Sequence, residues 1–145
     1  MVKDIMSKDV LILGQGASVK DALDLIVENR IGCVIITDGD DIVGIVTERD
    51  ILAKVVDENI SLLDTKISKI MSKNVKTISP NEKLEKASEI ITENKIKRLP
   101  VVKNDKLVGI VTLTDIVASG VKIEEEVLKE LAKWFPVQRK VSVGG

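Results

Sequence analysis

The sequence predicts an α+β fold of two pseudo-symmetric halves, each running strand, helix, strand, strand, helix. Three observations carry that expectation. First, the chain repeats itself at one constant spacing and without a gap: Ile5-Met6-Ser7-Lys8 returns as Ile70-Met71-Ser72-Lys73, Glu28-Asn29 as Glu93-Asn94, Val43-Gly44-Ile45-Val46-Thr47 as Val108-Gly109-Ile110-Val111-Thr112, and Asp50-Ile51 as Asp115-Ile116. An internal repeat defines the folding unit. Second, each copy covers only about 55 residues, a size that buries roughly 60% of its unfolded surface, so two copies in a chain of 145 residues are expected to share a core. Third, apolar residues within each copy switch between helical spacing and short β-branched runs.

In the first copy, residues 2–56, Val10-Leu11-Ile12-Leu13 reads as a short strand. Gly14-Gln15-Gly16 turns the chain into a helix capped by Ser18, whose buried stripe is Val19, Ala22, Leu23 and Ile26 and which runs to about Asn29. Cys33 to Thr37 and Ile42 to Thr47 form a hairpin around the turn chemistry of Asp38-Gly39-Asp40-Asp41. Asp50 to Val56 follows as a helix. Residues 57–66 join the copies and contain Leu62 and Leu63, so a packed connection is expected rather than a free linker.

The second copy, residues 67–121, repeats the order. Ser79-Pro80-Asn81-Glu82 reads as its helix start, with capping-box spacing and a proline in the first turn. Leu84, Ala87 and Ile91 supply the stripe, and Leu99 to Lys103 and Leu107 to Thr112 are hairpin strands around Asn104-Asp105. Residues 122–145 lie outside the repeats. There Ile123 to Trp134 reads as an amphipathic helix with Val127, Leu128, Leu131, Trp134 and Phe135 on its apolar side, stopped by Pro136, with a frayed end from Val141 to Gly145. Packing on its own chain and contact with a second subunit are both open for this helix.

Composition narrows the function. The chain is 44% hydrophobic and 31% charged, a globular rather than a disordered balance. No apolar run approaches the ~20 residues of a membrane span, and Met1-Val2-Lys3-Asp4 lacks the look of a secretory signal. With a single cysteine, Cys33, a cytoplasmic location is expected. Abundant Lys, Glu and Ile beside few Gln resembles thermophile composition. Lys and Arg number 22 against 23 Asp and Glu, which gives no whole-molecule attraction to nucleic acid or membrane, and aromatic residues for base stacking are scarce. Histidine is absent, removing histidine bases, the common nucleophile triads and most zinc sites. No catalytic constellation emerges, so no enzyme is expected. Cys33, inside a strand, reads as a small core residue, and the glycines at 14, 16, 39 and 44 fail the spacing or following residues of phosphate and dinucleotide loops.

The element that could carry chemistry is Gly-Ile-Val-Thr-x-x-Asp, at Gly44 to Asp50 and again at Gly109 to Asp115. It stands where an apolar strand ends and a helix begins, and a helix N-terminus offers N–H groups and partial positive charge to a phosphate. The Asp carboxylate suits a vicinal diol such as that of ribose, the use an acidic residue has in dinucleotide folds. Thr-x-x-Asp is equally close to a capping box that needs no ligand. Its duplication with the glycine and the flanking strand favours a nucleotide.

With both copies of this element and the strand Lys97-Arg98-Leu99-Pro100-Val101-Val102, residues 2 to 121 resemble a tandem pair of cystathionine-β-synthase (CBS) domains, a Bateman module. The resemblance implies two halves packed through their sheets, with clefts between them that take AMP, ADP, ATP or another adenosyl ligand. Asp50 and Asp115 would hold ribose, Thr47 and Thr112 would approach phosphate, and Arg98 would contact phosphate through its planar fork of donors. The first copy departs from this pattern, since Gly32-Cys33-Val34-Ile35 stands where Lys97-Arg98-Leu99-Pro100 stands in the second, and Arg49 is the candidate to compensate. The implied function is a regulatory, ligand-sensing module that pairs as a homodimer and acts on a separate protein. Its rival is a ligand-independent assembly module whose Thr-x-x-Asp elements are only caps.

Overall fold

The computed structural model describes residues 1–123 and 125–134; Phe135, Pro136 and the Val141 to Gly145 end lie outside the described residues, as do the side chains of Glu130, Leu131 and Trp134. The first copy contains β1 (Ile12–Gly14), α1 (Val19–Asn29), β2 (Cys33–Asp38), β3 (Asp41–Thr47) and α2 (Glu48–Glu58); the second contains α3 (Leu84–Asn94), β4 (Arg98–Lys103), β5 (Lys106–Thr112) and α4 (Leu113–Ala118), followed by α5 (Glu125–Trp134). Both hairpins carry a bulge at the same place, where Val43 or Val108 is the extra residue beside the repeated glycine. The second hairpin turns on Asn104 and Asp105, both at positive φ, the backbone that matches the twist of the flanking strands.

The strands alternate between two environments. Val34, Ile36 and Val46 point to α1 and α2 and join Val19, Ala22, Ile26 and Ile51 in one buried cluster, while Leu99, Val101 and Val111 join Ala87, Ile91 and Ile116 in the equivalent one. The intervening residues Cys33, Ile35 and Ile110 form a third buried cluster with Ile42, Ile45 and Leu107, where the two sheets meet. Side-chain period two thus gives each sheet a helix-covered face and a face against the other sheet.

The segment leading each copy packs on the other copy. Val2, fully buried, belongs to the cluster of the second copy, and its amide donates to Glu82 O while that of Lys3 donates to Pro80 O. Ile67 and Ile70 belong to the cluster of the first, where the Ile67 amide donates to Ala17 O. Burying an aliphatic side chain of this size contributes roughly 2 kcal/mol. Ser7 then exchanges backbone hydrogen bonds with Ile110, and Ser72 with Ile45. The repeated Met and Gly interlock at these bridges: a Cβ on Gly44 would lie 2.9 Å from Met71 Cβ, and one on Gly109 would lie 2.8 Å from both Met6 Sδ and Ser7 O.

Two expectations are corrected. In the first copy β1 pairs in parallel with β2, but its counterpart in the second is one bridge, Ile78 to Val101, leaving a two-stranded sheet. Prolines account for this. Ile35 N donates to Leu11 O at 2.8 Å and Gln15 N to Thr37 O at 3.1 Å. The residues at the positions of Ile35 and Gln15 in the second copy are Pro100 and Pro80, which have no N–H. Only the two central bonds, Ile78 N to Pro100 O and Val102 N to Ile78 O, remain. Likewise Ser79 to Glu82 is a turn and not a helix start, for α3 begins at Leu84 with Lys83 at its N-cap and no side-chain cap. The N-terminal segment occupies the Pro80 and Glu82 carbonyls, so that stretch is fixed outside the helix.

α5 lies along α3, and Ile123 and Val127 pack against the cluster of the second copy, while Leu128 is half exposed. Among the described residues no helix is long and apolar enough to cross a membrane.

Candidate functional site

Both Thr-x-x-Asp elements form complete capping boxes. Thr47 N donates to Asp50 Oδ2 at 2.9 Å and Asp50 N to Thr47 Oγ1 at 3.1 Å; the Thr112 and Asp115 pair shows 3.2 and 3.1 Å. The first amide of each helix is also engaged, Glu48 N by Gly32 O and Leu113 N by Lys97 O. The capping reading is therefore met in full, and the helix ends offer a phosphate fewer amides than the sequence pattern implies. Ligand capacity remains in the side chains. Each threonine hydroxyl accepts from the cap and keeps its own proton to donate, and each aspartate uses Oδ2, leaving Oδ1 as an acceptor.

Two clefts flank the contact between the halves. The larger, about 850 Å³, is lined by Thr47, Asp50, Arg49 and Arg98, and so joins four of the six residues singled out in the sequence. Its volume falls within the range of small-molecule sites. The smaller, about 330 Å³, is lined by Thr112 and again by Arg98, with Ser7, Asp9, Asn29 and Cys33. Asp115 is half buried at the start of α4 and stands outside the lining of both. Arg98 faces both clefts because the residue it passes in the other copy is small: a Cβ on Gly32 would lie 3.1 Å from Arg98 Nη2.

The large cleft also contains Lys73, Lys76, Lys95 and Lys97. Ser72 seats the segment carrying Lys73 and Lys76 through its backbone pair with Ile45. Asn74, also in the lining, holds a left-handed backbone, which asparagine tolerates better than most residues. Sequence reasoning missed these residues. Aligning the copies at their constant spacing picks out two of them, since Lys76 stands opposite Leu11 and Lys97 opposite Gly32, whereas Lys73 and Lys95 stand opposite Lys8 and Arg30. Cys33 is buried, which pushes its thiol above the ordinary value of 9.0 against the opposing pull of the Arg98 charge, so it stays protonated at neutral pH and a poor nucleophile. Among the described residues no cluster of His, Cys, Asp or Glu has the arrangement of a metal site.

The family model for the CBS domain matches this chain twice, over residues 2–57 and 67–121. The chain belongs to the CBS-domain family. A curated relative, the mitochondrial CBS domain-containing protein CBSX3 of Arabidopsis thaliana, is 32% identical over 119 residues, which is 79% of this chain; the chain spans only 58% of that relative's length. Two solved structures share the fold with ligands present. The CBS domain pair of protein MJ0100 in complex with 5′-methylthioadenosine and S-adenosyl-L-methionine aligns with a TM-score of 0.74 at 29% identity, covering 83% of this chain and 94% of that one. CBSX2 in complex with AMP aligns with a TM-score of 0.68 at 28% identity, covering 82% and 94%. The two CBS halves of this chain thus form the mixed α+β pair expected from its repeats, with the helices outside and the sheets between them.

Proposed function

We propose that the chain is a regulatory CBS pair that binds an adenosine nucleotide or related adenosyl compound in the large cleft and acts on a separate protein. The observation that carries this reading is the convergence of Thr47, Asp50, Arg49 and Arg98 on one cleft of about 850 Å³. In it, Asp50 Oδ1 accepts from the ribose diol, the Thr47 hydroxyl donates to a phosphate, and the Arg98 guanidinium offers paired donors. The adenosyl ligands of the MJ0100 and CBSX2 structures support the ligand class. Titration calorimetry of Asp50→Ala against adenosine and AMP tests it. Because the carboxylate is also half of a cap, the variant is expected to lose about 1 kcal/mol of stability and, separately, about tenfold or more in affinity. Asp115→Ala loses the equivalent cap outside the cleft and serves as the control for stability. Equal affinity in wild type and Asp50→Ala would sink the ribose assignment.

The assembly that fits the surface is a homodimer through the helices. Leu52 and Val56 on α2 and Val27 on α1 are 56%, 78% and 66% exposed, an apolar group on the half that α5 does not cover. Light scattering checks this: Val56→Glu is expected to shift a dimer toward monomer, and a wild-type monomer at micromolar concentration rejects the dimer. Truncation after Val121 is expected to lower stability through loss of Ile123 and Val127 from the cluster of the second copy.

A further inference from the structure

The large cleft carries a charge that the small one lacks. Its walls present Arg49, Lys73, Lys76, Lys95, Lys97 and Arg98 against two carboxylates, Glu48 and Asp50. The small cleft presents Arg98 against Asp9. The contrast is built residue by residue. When the copies are superposed on their repeat, Lys76 falls on Leu11, Lys97 on Gly32, Arg98 on Cys33 and Asn74 on Asp9, so at four wall positions the second copy is the more positive. Lysines that merely solvate a surface need not gather at one cleft, and here Arg49, Lys73, Lys76, Lys95 and Arg98 form no ion pair with a carboxylate among the described residues.

Like charges gathered in a concave site with low-dielectric walls raise the local potential and favour an anion of matching charge. A phosphate monoester brings about −1.5 to −2, and each further phosphoryl group adds to that. A sulfonium such as that of an S-adenosyl compound brings positive charge and would be repelled. Resting on the adenosyl reading of this cleft, we infer that it selects ligands by the length of the phosphate chain, taking a nucleoside di- or triphosphate in preference to a monophosphate and rejecting adenosyl sulfonium compounds. The ribose and base interactions are shared by all of these, so the cationic wall sets the ranking.

Calorimetry on the full chain with adenosine, AMP, ADP, ATP, S-adenosylmethionine and inorganic tripolyphosphate, each at low and high salt, tests the inference. Affinity is expected to rise from adenosine through AMP and ADP to ATP, with ATP about tenfold or more tighter than AMP. Raising the ionic strength should narrow that ratio, because screening weakens the part of binding that depends on charge. Lys76→Leu installs the residue that the first copy carries at Leu11, and it is expected to reduce ATP affinity about tenfold and AMP affinity less. Lys76→Gln, which keeps a polar side chain, should give the same ordering if the charge is the cause. AMP or S-adenosylmethionine binding as tightly as ATP, or equal losses for ATP and AMP in both variants, overturns the inference while leaving the adenosyl reading in place. Tripolyphosphate binding as tightly as ATP overturns selection among nucleotides and leaves a bare anion site. Failure of every adenosyl compound to bind overturns the adenosyl reading and this inference with it.

Discussion

The first and second copies share a register but differ at their edges. Both hairpins have the same bulge, both glycines take a methionine from the opposite copy, and both second helices open with a Thr-x-x-Asp box. Yet the first copy has a third strand and a side-chain cap on its first helix, while the second has two prolines, an uncapped α3, a shorter α4 and α5 laid against it. Of the shared features, the Met and Gly interlock lies where the halves touch. The differences lie where a half meets solvent, the N-terminal segment, α5 or the cleft. Contacts between the halves constrain both copies together, because each glycine needs the other copy's segment.

The largest test of that contrast is at the interlock. Gly109→Ala is expected to cost roughly 1–3 kcal/mol by overpacking, and more than Gly44→Ala, because the added methyl meets the fixed backbone oxygen of Ser7 as well as Met6, whereas its three nearest neighbours at Gly44 all belong to the flexible Met71 side chain. Urea unfolding measures both. Two variants as stable as wild type would remove the argument that the repeated Met and Gly hold the halves together.

At the edges smaller effects of opposite sign are expected. Ser18→Ala should lose about 1 kcal/mol, and Lys83→Ser should gain several tenths or more, since it supplies the missing N-cap at α3. If both substitutions destabilise, the missing cap does not explain the difference between the first helices.

Restoring the strand tests the account given for the prolines. Pro80→Gln with Pro100→Ile copies the first copy's residues and returns both N–H groups. The gain of a hydrogen bond, about 1 kcal/mol, is offset by the greater freedom of the unfolded chain, about 0.4–1 kcal/mol per proline, so stability should change little. Hydrogen exchange should report a newly protected amide at residue 100, and a fast-exchanging one would mean that something other than proline ends the ladder.

The smallest effect is electrostatic. Asp21 accepts first from the Ser18 amide and then from its hydroxyl, which holds the carboxyl below its usual 3.8; its counterpart in the second copy is Lys86. A carboxyl depressed on folding adds stability that is present above the unfolded value and is lost as pH falls through the folded one. In an NMR titration Asp21 should therefore titrate below 3.8 and move part of the way back in Ser18→Ala, with the bond from the residue 18 amide left in place. An unchanged titration would show that the hydroxyl contributes nothing.

Much of this was legible in the chain. The constant spacing of the copies, the β-branched run from Cys33 to Thr37, and the Val19, Ala22 and Ile26 stripe mark the elements, while packing decided that Val34 and Ile36 face the helices and Cys33 and Ile35 the other sheet. The Ser79 to Glu82 helix start was misleading because its spacing satisfies a local rule while a distant segment, Val2 and Lys3, takes its carbonyls. At the candidate site, Thr47 and Asp50 were visible through their repetition; Lys73 repeats Lys8 as well, yet neither it nor Lys76, which stands opposite Leu11, was read as a site residue, since a lysine in a loop has no periodic signature.

By itself the sequence determined the two copies, their helices and hairpin strands and the capping by Ser18, Thr47 and Thr112, since hydrophobic period and side-chain hydrogen bonds act over a few residues. Only the tertiary structure decided that each leading segment crosses to the other copy, that Arg98 faces both clefts, and that Asp50 lines the large cleft while Asp115 lines neither. Those outcomes depend on how two sheets pack face to face, and a repeat with nearly the same residues in each half does not state which side chains that packing will bring together.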